Sequence, residues 1–220
     1  MKRLYILGAG GLCSVLIDQI LTDPAHHVHW RLMGVVDDRD ESVTNVSKYS
    51  VNFRYPLIHY LQVSQIDELD DCRFMVSIGD PVQKELYVTK ALRVGAEFVS
   101  CINTELISQT SEVGASVIGK DTIISASSRL ADHCFVDSRV TIGHNVTIED
   151  YCHIGVNVVI SGGVRVRSKA AIMSGAVIGQ DIEIGEASVI GVGAVVTRDV
   201  APGDVMIGNP AQSVRRKIQL

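Results

Sequence analysis

This sequence predicts two domains of different class, an α/β domain with a parallel sheet over residues 1–103 and a parallel β-helix over residues 104–220. Three observations carry the prediction. From Ile118 to Val196 an aliphatic residue recurs at every sixth position, as in Ile142, Ile148, Ile154, Ile160 and Val166. Four residues after each stands a small or β-branched residue or Cys, such as Thr122, Ser128, Cys134, Ala170, Ala176 and Ala194. Before the repeat, short apolar runs instead alternate with stretches of helical spacing.

A period of six matches neither the 3.6 of a helix nor the 2 of a half-buried strand. It is the sign of a parallel β-helix, in which three short strands make one triangular coil. Three hexads give a coil of 18 residues, so residues n and n+18 stack about 4.8 Å apart. Three aliphatic columns follow: Ile118, Val136, Ile154, Ile172, Ile190; Ile124, Ile142, Ile160, Ile178, Val196; and Leu130, Ile148, Val166, Ile184. No hexad is interrupted by a loop. One coil cannot bury its apolar face alone, so stability sums over neighbouring coils.

In the first domain, Leu4–Leu7 is a strand ended by Gly8-Ala9-Gly10-Gly11, after which Leu12, Val15, Leu16 and Ile20 recur as on a helix. Leu32–Val36 is a second strand closed by Asp37-Asp38. Phe74–Ile78 is a third, closed by Gly79-Asp80, followed by a helix over Val82–Leu92 and a last strand over Phe98–Ile102. Residues 39–60 are polar and irregular and read as a loop or short hairpin. Such alternation implies a parallel sheet with ligands outside the carboxyl ends of its strands. A glycine turn at a helix N-terminus brings backbone N–H groups to phosphate, and a carboxylate after the second strand can accept ribose hydroxyls. Ser14 stands where a dinucleotide fingerprint wants a further glycine, so a tight turn and a phosphate site remain equal readings, and a nucleotide-linked substrate fits better than NAD.

With 46% apolar residues and a net charge of −5, the chain has no basic stripe to neutralise phosphates, which argues against nucleic acid. No apolar run spans a bilayer and the start lacks a signal-peptide layout, so a cytoplasmic protein is expected. Its five cysteines show no zinc-type spacing. Cys134 and Cys152, 18 apart, stack in the inward small column and read as core fillers in a reducing compartment.

His26, His27 and His29 lie in a polar loop. His144, two residues after the inward Ile142, falls where a hexad turns outward, and one coil later its column holds Gly162, which leaves room beside the ring. An imidazole there suits proton transfer near neutrality, or equally a surface His bonded to backbone. His153 is half a coil away, so the two histidines share no face of one subunit, although neighbouring subunits of a threefold assembly could bring them together. The gaps between His133, His144 and His153 fit no common metal spacing. Backbone N–H groups around Gly155 or Gly162-Gly163 are candidate oxyanion donors.

The glycine turn, Asp37-Asp38, Ile78-Gly79, the unbroken hexads, Gly143-His144-Asn145 and the closing Ile207-Gly208-Asn209-Pro210-Ala211 resemble the hexapeptide-repeat sugar acyltransferases of the sialic acid O-acetyltransferase type. These include bacterial N-acetyltransferases of UDP- and GDP-linked 4-amino sugars. The resemblance implies a left-handed β-helix after a Rossmann-like nucleotide-sugar-binding domain, acetyl-CoA as co-substrate, no metal, and a homotrimer with active sites between subunits. It makes His144 the catalytic base, supported by Asn145 where relatives often carry an acid. His153, Gly162, Ser174 and Val192 fall on the acetyl-CoA side. Gly10, Gly11, Leu12, Asp37, Asp38, Gly79, Asp80 and Asp137 fall on the substrate side. Leu12 stands where several relatives have His, Asp80 where some have Asn, and Asn103-Thr104 where a His-Pro often enters the helix. O-acetylation of a sialic acid or related sugar is the alternative, and a non-catalytic nucleotide-binding scaffold is the reading from another class.

Overall fold

A computed structural model describes residues 2–22, 30–37, 57–58 and 69–214. The chain divides into two compact units, one comprising Met1–Gly79 and Gln83–Cys101, the other Asp80–Val82 and Ile102–Leu220.

The first unit is built on a parallel sheet. β1 (Lys2–Leu7) pairs with β2 (Trp30–Val36) on one side and β4 (Cys72–Val76) on the other, and β3 (Leu57–Ile58) extends the sheet beyond β2. β3 lies inside the stretch expected to be a loop or hairpin. A two-residue parallel strand in a polar segment has no period to betray it. Helix α1 (Gly11–Thr22) buries Cys13, Leu16 and Ile20, whereas Val15, expected on the apolar stripe, is exposed. The buried face is therefore turned by one position towards Cys13. Helix α2 (Pro81–Arg93) starts on a proline, whose missing N–H is no loss in a first turn. It ends at Gly95 (φ +90°), with Ala96 N–H donating to Ala91 O and Gly95 N–H to Leu92 O, so the last carbonyls are capped.

The expected strand Phe98–Ile102 is divided. Phe98 bridges Phe74 beside β4, while Cys101–Ile102 joins the edge of a β-helix sheet. A five-residue apolar run looks the same whether it serves one sheet or passes from one to another.

The second unit is the β-helix. Its first face stacks strands such as Val117–Ile118, Phe135–Val136, His153–Ile154, Ala171–Ile172 and Val189–Ile190, all parallel and paired 18 residues apart. The second face stacks Ile123–Ile124, Thr141–Ile142, Val159–Ile160, Val177–Ile178 and Val195–Val196. The third runs from Glu112–Val113 through Arg129–Leu130, Thr147–Ile148 and Arg165–Val166 to Glu183–Ile184. The three aliphatic columns are buried in one continuous core, filled at the corners by Cys134, Cys152, Ala170, Ala176 and Ala194. Cys134 and Cys152 are free thiols, donating to the carbonyls of Glu149 and Arg167 at 3.1 and 3.2 Å. Corner residues such as His133, Arg139, Asn145, Tyr151, Asn157, Lys169 and Asp181 have φ between 56° and 63°, and Gly163, Gly175 and Gly193 occupy the equivalent positions. Among the described residues no helix is long and apolar enough to cross a membrane.

Candidate active site

The first unit gathers its glycine turns at the carboxyl ends of β1 and β4. Gly8 has φ +101° and donates to Val36 O, and a Cβ there would lie 2.6 Å from Ile78 Cγ1, so only glycine fits. Ser77 Oγ donates to Gly8 O at 2.6 Å, and Ala9 N–H donates to Asp37 Oδ2 at 2.8 Å. Asp37 is buried. Through Oδ2 it holds the turn from within, a task beside the expected one of ribose acceptor. Burial pushes the neighbouring Cys13 thiol up to about 12, a hydrogen bond from Ser77 opposing the rise and the Asp37 charge adding to it. Cys13 is therefore an inert thiol at neutral pH.

Beyond this buried network, Cβ atoms built on Gly10 and Gly11 would meet nothing within 4 Å among the described residues. Backbone there is open to a ligand. The Leu12 side chain leans against Gly79, where an added Cβ would lie 3.2 Å from Leu12 Cδ1, so the two expected turns converge. Asp80 groups with the second unit, and Asp38 lies outside the described residues, as do His26, His27 and His29.

In the β-helix, His144 is exposed at the corner between the second and third faces. Its ring stands over Gly162, whose Cβ would lie 2.7 Å from both Cε1 and Nε2. The double glycine of the next coil is what leaves the imidazole its space. Asn145, at φ 56°, sits in the left-handed region that Asn tolerates better than most side chains. Its Nδ2 lies 3.0 Å from His144 Nδ1, which in that orientation makes Nδ1 the acceptor. Amide nitrogen and oxygen are interchangeable in such an assignment. With the carbonyl turned to accept from Nδ1–H, Nε2 carries the lone pair.

The remaining expected residues lie across the second face. Asp137, Ser174 and Val192 occupy the corner between the first and second faces, and His153 lies on the first face with its ring stacked on Phe135 at 5.5 Å and 8°. Asp137 Oδ1 accepts from Ser138 N–H at 2.7 Å, and Val192 is 78% exposed. Two groups of residues therefore flank one face of the same coil stack. That face carries Ile123, Val159 and Val177 exposed at its surface. His133 lies at the third corner, stacked on Tyr151, away from both groups. Among the described residues no group of three or more His, Cys, Asp or Glu could hold a metal ion.

Two of the expected oxyanion donors are already engaged. Gly155 N–H donates to Ile172 O at 2.8 Å and Gly163 N–H to His144 O at 2.9 Å, as ladder geometry requires. Gly162 N–H is left, making no hydrogen bond among the described residues.

The unbroken β-helix is a hexapeptide-repeat domain: residues 127–162 match the bacterial transferase hexapeptide repeats. Residues 3–91 match the PglD N-terminal domain. The two matches lie side by side in one chain, in the order expected of the hexapeptide-repeat sugar acyltransferases that its motifs resemble. Solved structures of similar fold include PerB from Caulobacter crescentus in complex with CoA and GDP-perosamine, 24% identical with a TM-score of 0.84, covering 97% of each chain. The acetyltransferase domain of PglB from Neisseria gonorrhoeae, in complex with acetyl coenzyme A, is 22% identical with a TM-score of 0.83 over 97% of this chain and 99% of that one. WeeI from Acinetobacter baumannii is 20% identical with a TM-score of 0.76, over 97% and 100%. At these identities the likeness is one of fold. A search of curated proteins finds no matching sequence.

Proposed function

We propose that this protein transfers the acetyl group of acetyl-CoA to the amine of a UDP- or GDP-linked 4-amino sugar, with His144 as general base. The observation that carries the reading is the exposed imidazole over Gly162, oriented through Nδ1 by Asn145. The PglD-type first domain and the CoA-bound and GDP-perosamine-bound structures of similar fold support the choice of substrates.

In this mechanism the neutral amine attacks the thioester carbonyl carbon as Nε2 of His144 takes its proton. A C–N bond forms and a tetrahedral oxyanion develops, for which Gly162 N–H is the available donor. Collapse breaks the C–S bond, and the departing thiolate takes the proton back from the imidazolium. Neither Cys134 nor Cys152, both buried, is needed as a nucleophile.

The two groups of residues flanking the second face support a homotrimer in which His144, Asn145 and Gly162 of one copy meet Asp137, His153, Ser174 and Val192 of the next. A triangular prism suits threefold closure, and the apolar second face supplies a surface to bury. On this reading His153, Gly162, Ser174 and Val192 lie along the CoA arm. Gly10, Gly11, Leu12, Gly79 and Asp80 receive the nucleotide sugar, with Asp37 holding the turn. Both reactants are cytoplasmic metabolites, which supports the same compartment for the protein. Thiol release from acetyl-CoA, measured with UDP- and GDP-linked 4-amino sugars and with sialic acid, tests the proposal. Turnover of an amino sugar is the expected result, preference for sialic acid would make it an O-acetyltransferase, and no release with any acceptor would favour a non-catalytic scaffold.

A further inference from the structure

The double glycine Gly162-Gly163 is covered from two sides. A Cβ on Gly162 would meet the His144 ring reaching from the coil before, and a Cβ on Gly163 would collide with Asp181 Oδ1 reaching from the coil after. Consecutive Cα atoms are only about 3.8 Å apart, so imidazole and carboxylate border one notch. The contrast with other corner aspartates is informative. Asp132 accepts from Ala115 N–H, Asp150 from Asp132 N–H and Asp199 from Glu183 N–H, each stapling one coil to the next. Among the described residues the Asp181 carboxylate accepts no such bond, as is also true of Asp121 at another left-handed corner, but Asp181 alone of the two is set against the double glycine, its backbone N–H anchored to Gly162 O at 3.0 Å. A carboxylate held against a glycine, exposed and left out of the ladder, keeps its acceptor capacity for a ligand beside that glycine.

We propose that Asp181 is a substrate-binding residue that accepts a hydrogen bond from an N–H donor of a reactant bound against Gly162-Gly163. This rests on the transferase reading above and adds a residue to the site. Two reactant groups have that chemistry: the amine of the acceptor sugar, and the amides of the pantetheine arm of acetyl-CoA. The anionic phosphates of either reactant do not, because a carboxylate repels them.

The test uses Asp181→Gly, which suits the observed φ of 57°, and Asp181→Asn, which keeps the shape without the charge. Calorimetric Kd values for acetyl-CoA and for UDP- and GDP-linked 4-amino sugars are compared with wild type, alongside melting temperature. A roughly tenfold weaker Kd for acetyl-CoA in Asp181→Gly, with a smaller loss in Asp181→Asn, identifies the pantetheine arm as the donor; the same loss for an amino sugar identifies the amine. Kd values for every ligand within twofold of wild type, with unchanged melting, overturn the proposal. Because binding is read apart from turnover, a wild-type protein that releases no CoA would refute the transferase reading without deciding the question of Asp181.

Discussion

The two units build their turns in opposite ways. In the α/β unit, buried side chains hold the turn: Asp37 takes Ala9 N–H and Ser77 takes Gly8 O, leaving the backbone at Gly10 and Gly11 open. In the β-helix the left-handed corner residues largely hold themselves by backbone, their N–H groups donating to a carbonyl one coil away, as Asn145 does to Ala126 and Asp181 to Gly162. Asp132, Asp150 and Asp199 staple coils with their carboxylates, whereas corner side chains such as His144 are released from that duty. The comparison teaches where chemistry can live: on backbone groups in the first unit, suited to phosphate, and on side chains in the second, suited to proton transfer.

Substitutions that attack each kind of support should separate these roles. The largest effect is expected for Ile154→Asp, which buries an unpaired charge in a column with 0% exposure. Loss of the cooperative thermal transition by circular dichroism is the expected outcome, and an unchanged melt would mean the columns do not carry the fold. Gly162→Ala comes next. Its Cβ must displace the His144 ring while leaving the ladder intact, and a misplacement on the order of 1 Å can lower turnover about 100-fold. Assayed by CoA release, it should lose activity with its melting temperature unchanged.

Asp37→Ala probes the other unit. Leaving Ala9 N–H buried without its acceptor costs about 1–3 kcal/mol, which should lower the melting temperature by a few degrees and weaken nucleotide binding in calorimetry. A carboxylate that only contacted ligand would weaken binding and leave the melt alone. The smallest effect belongs to Glu149. Burial pushes its carboxyl up, but hydrogen bonds from Arg167 and Ser168 outweigh this and hold it below the usual carboxylate range. A lowered folded value means stability that is present above the unfolded carboxylate range and lost as pH falls through the folded value. The ion pair is more than a third exposed on Arg167, so Glu149→Gln should cost less than about 1 kcal/mol at neutral pH, and the difference from wild type should vanish in acid melts.

The same contrast governs what could be read from the residues alone. In the coils, position follows from counting by 18, so the columns, the inward cysteines and the open corner of His144 are legible in the sequence itself. In the α/β unit no such arithmetic exists. Phe98 and Cys101 read as one strand yet serve two sheets, and Leu57–Ile58 joins β2 from a stretch without apolar period. The task of Asp37 was equally hidden, because a carboxylate that accepts a backbone N–H and one that accepts a ribose hydroxyl look identical in a sequence. Asp181 is hidden for a related reason: only its place against Gly163 sets it apart from the other corner aspartates. Gly155 and Gly163 look as fit for oxyanion donors as Gly162 in the sequence, because the ladder bonds that occupy their N–H groups leave no mark there.

The central claim is that one corner imidazole, freed by a self-supporting coil, moves the proton of acetyl transfer. Turnover of His144→Ala with acetyl-CoA and the preferred amino-sugar nucleotide tests it most directly. The account predicts a kcat about 10²–10⁴-fold lower with melting temperature and oligomeric state preserved. A variant that releases CoA at the wild-type rate would contradict it.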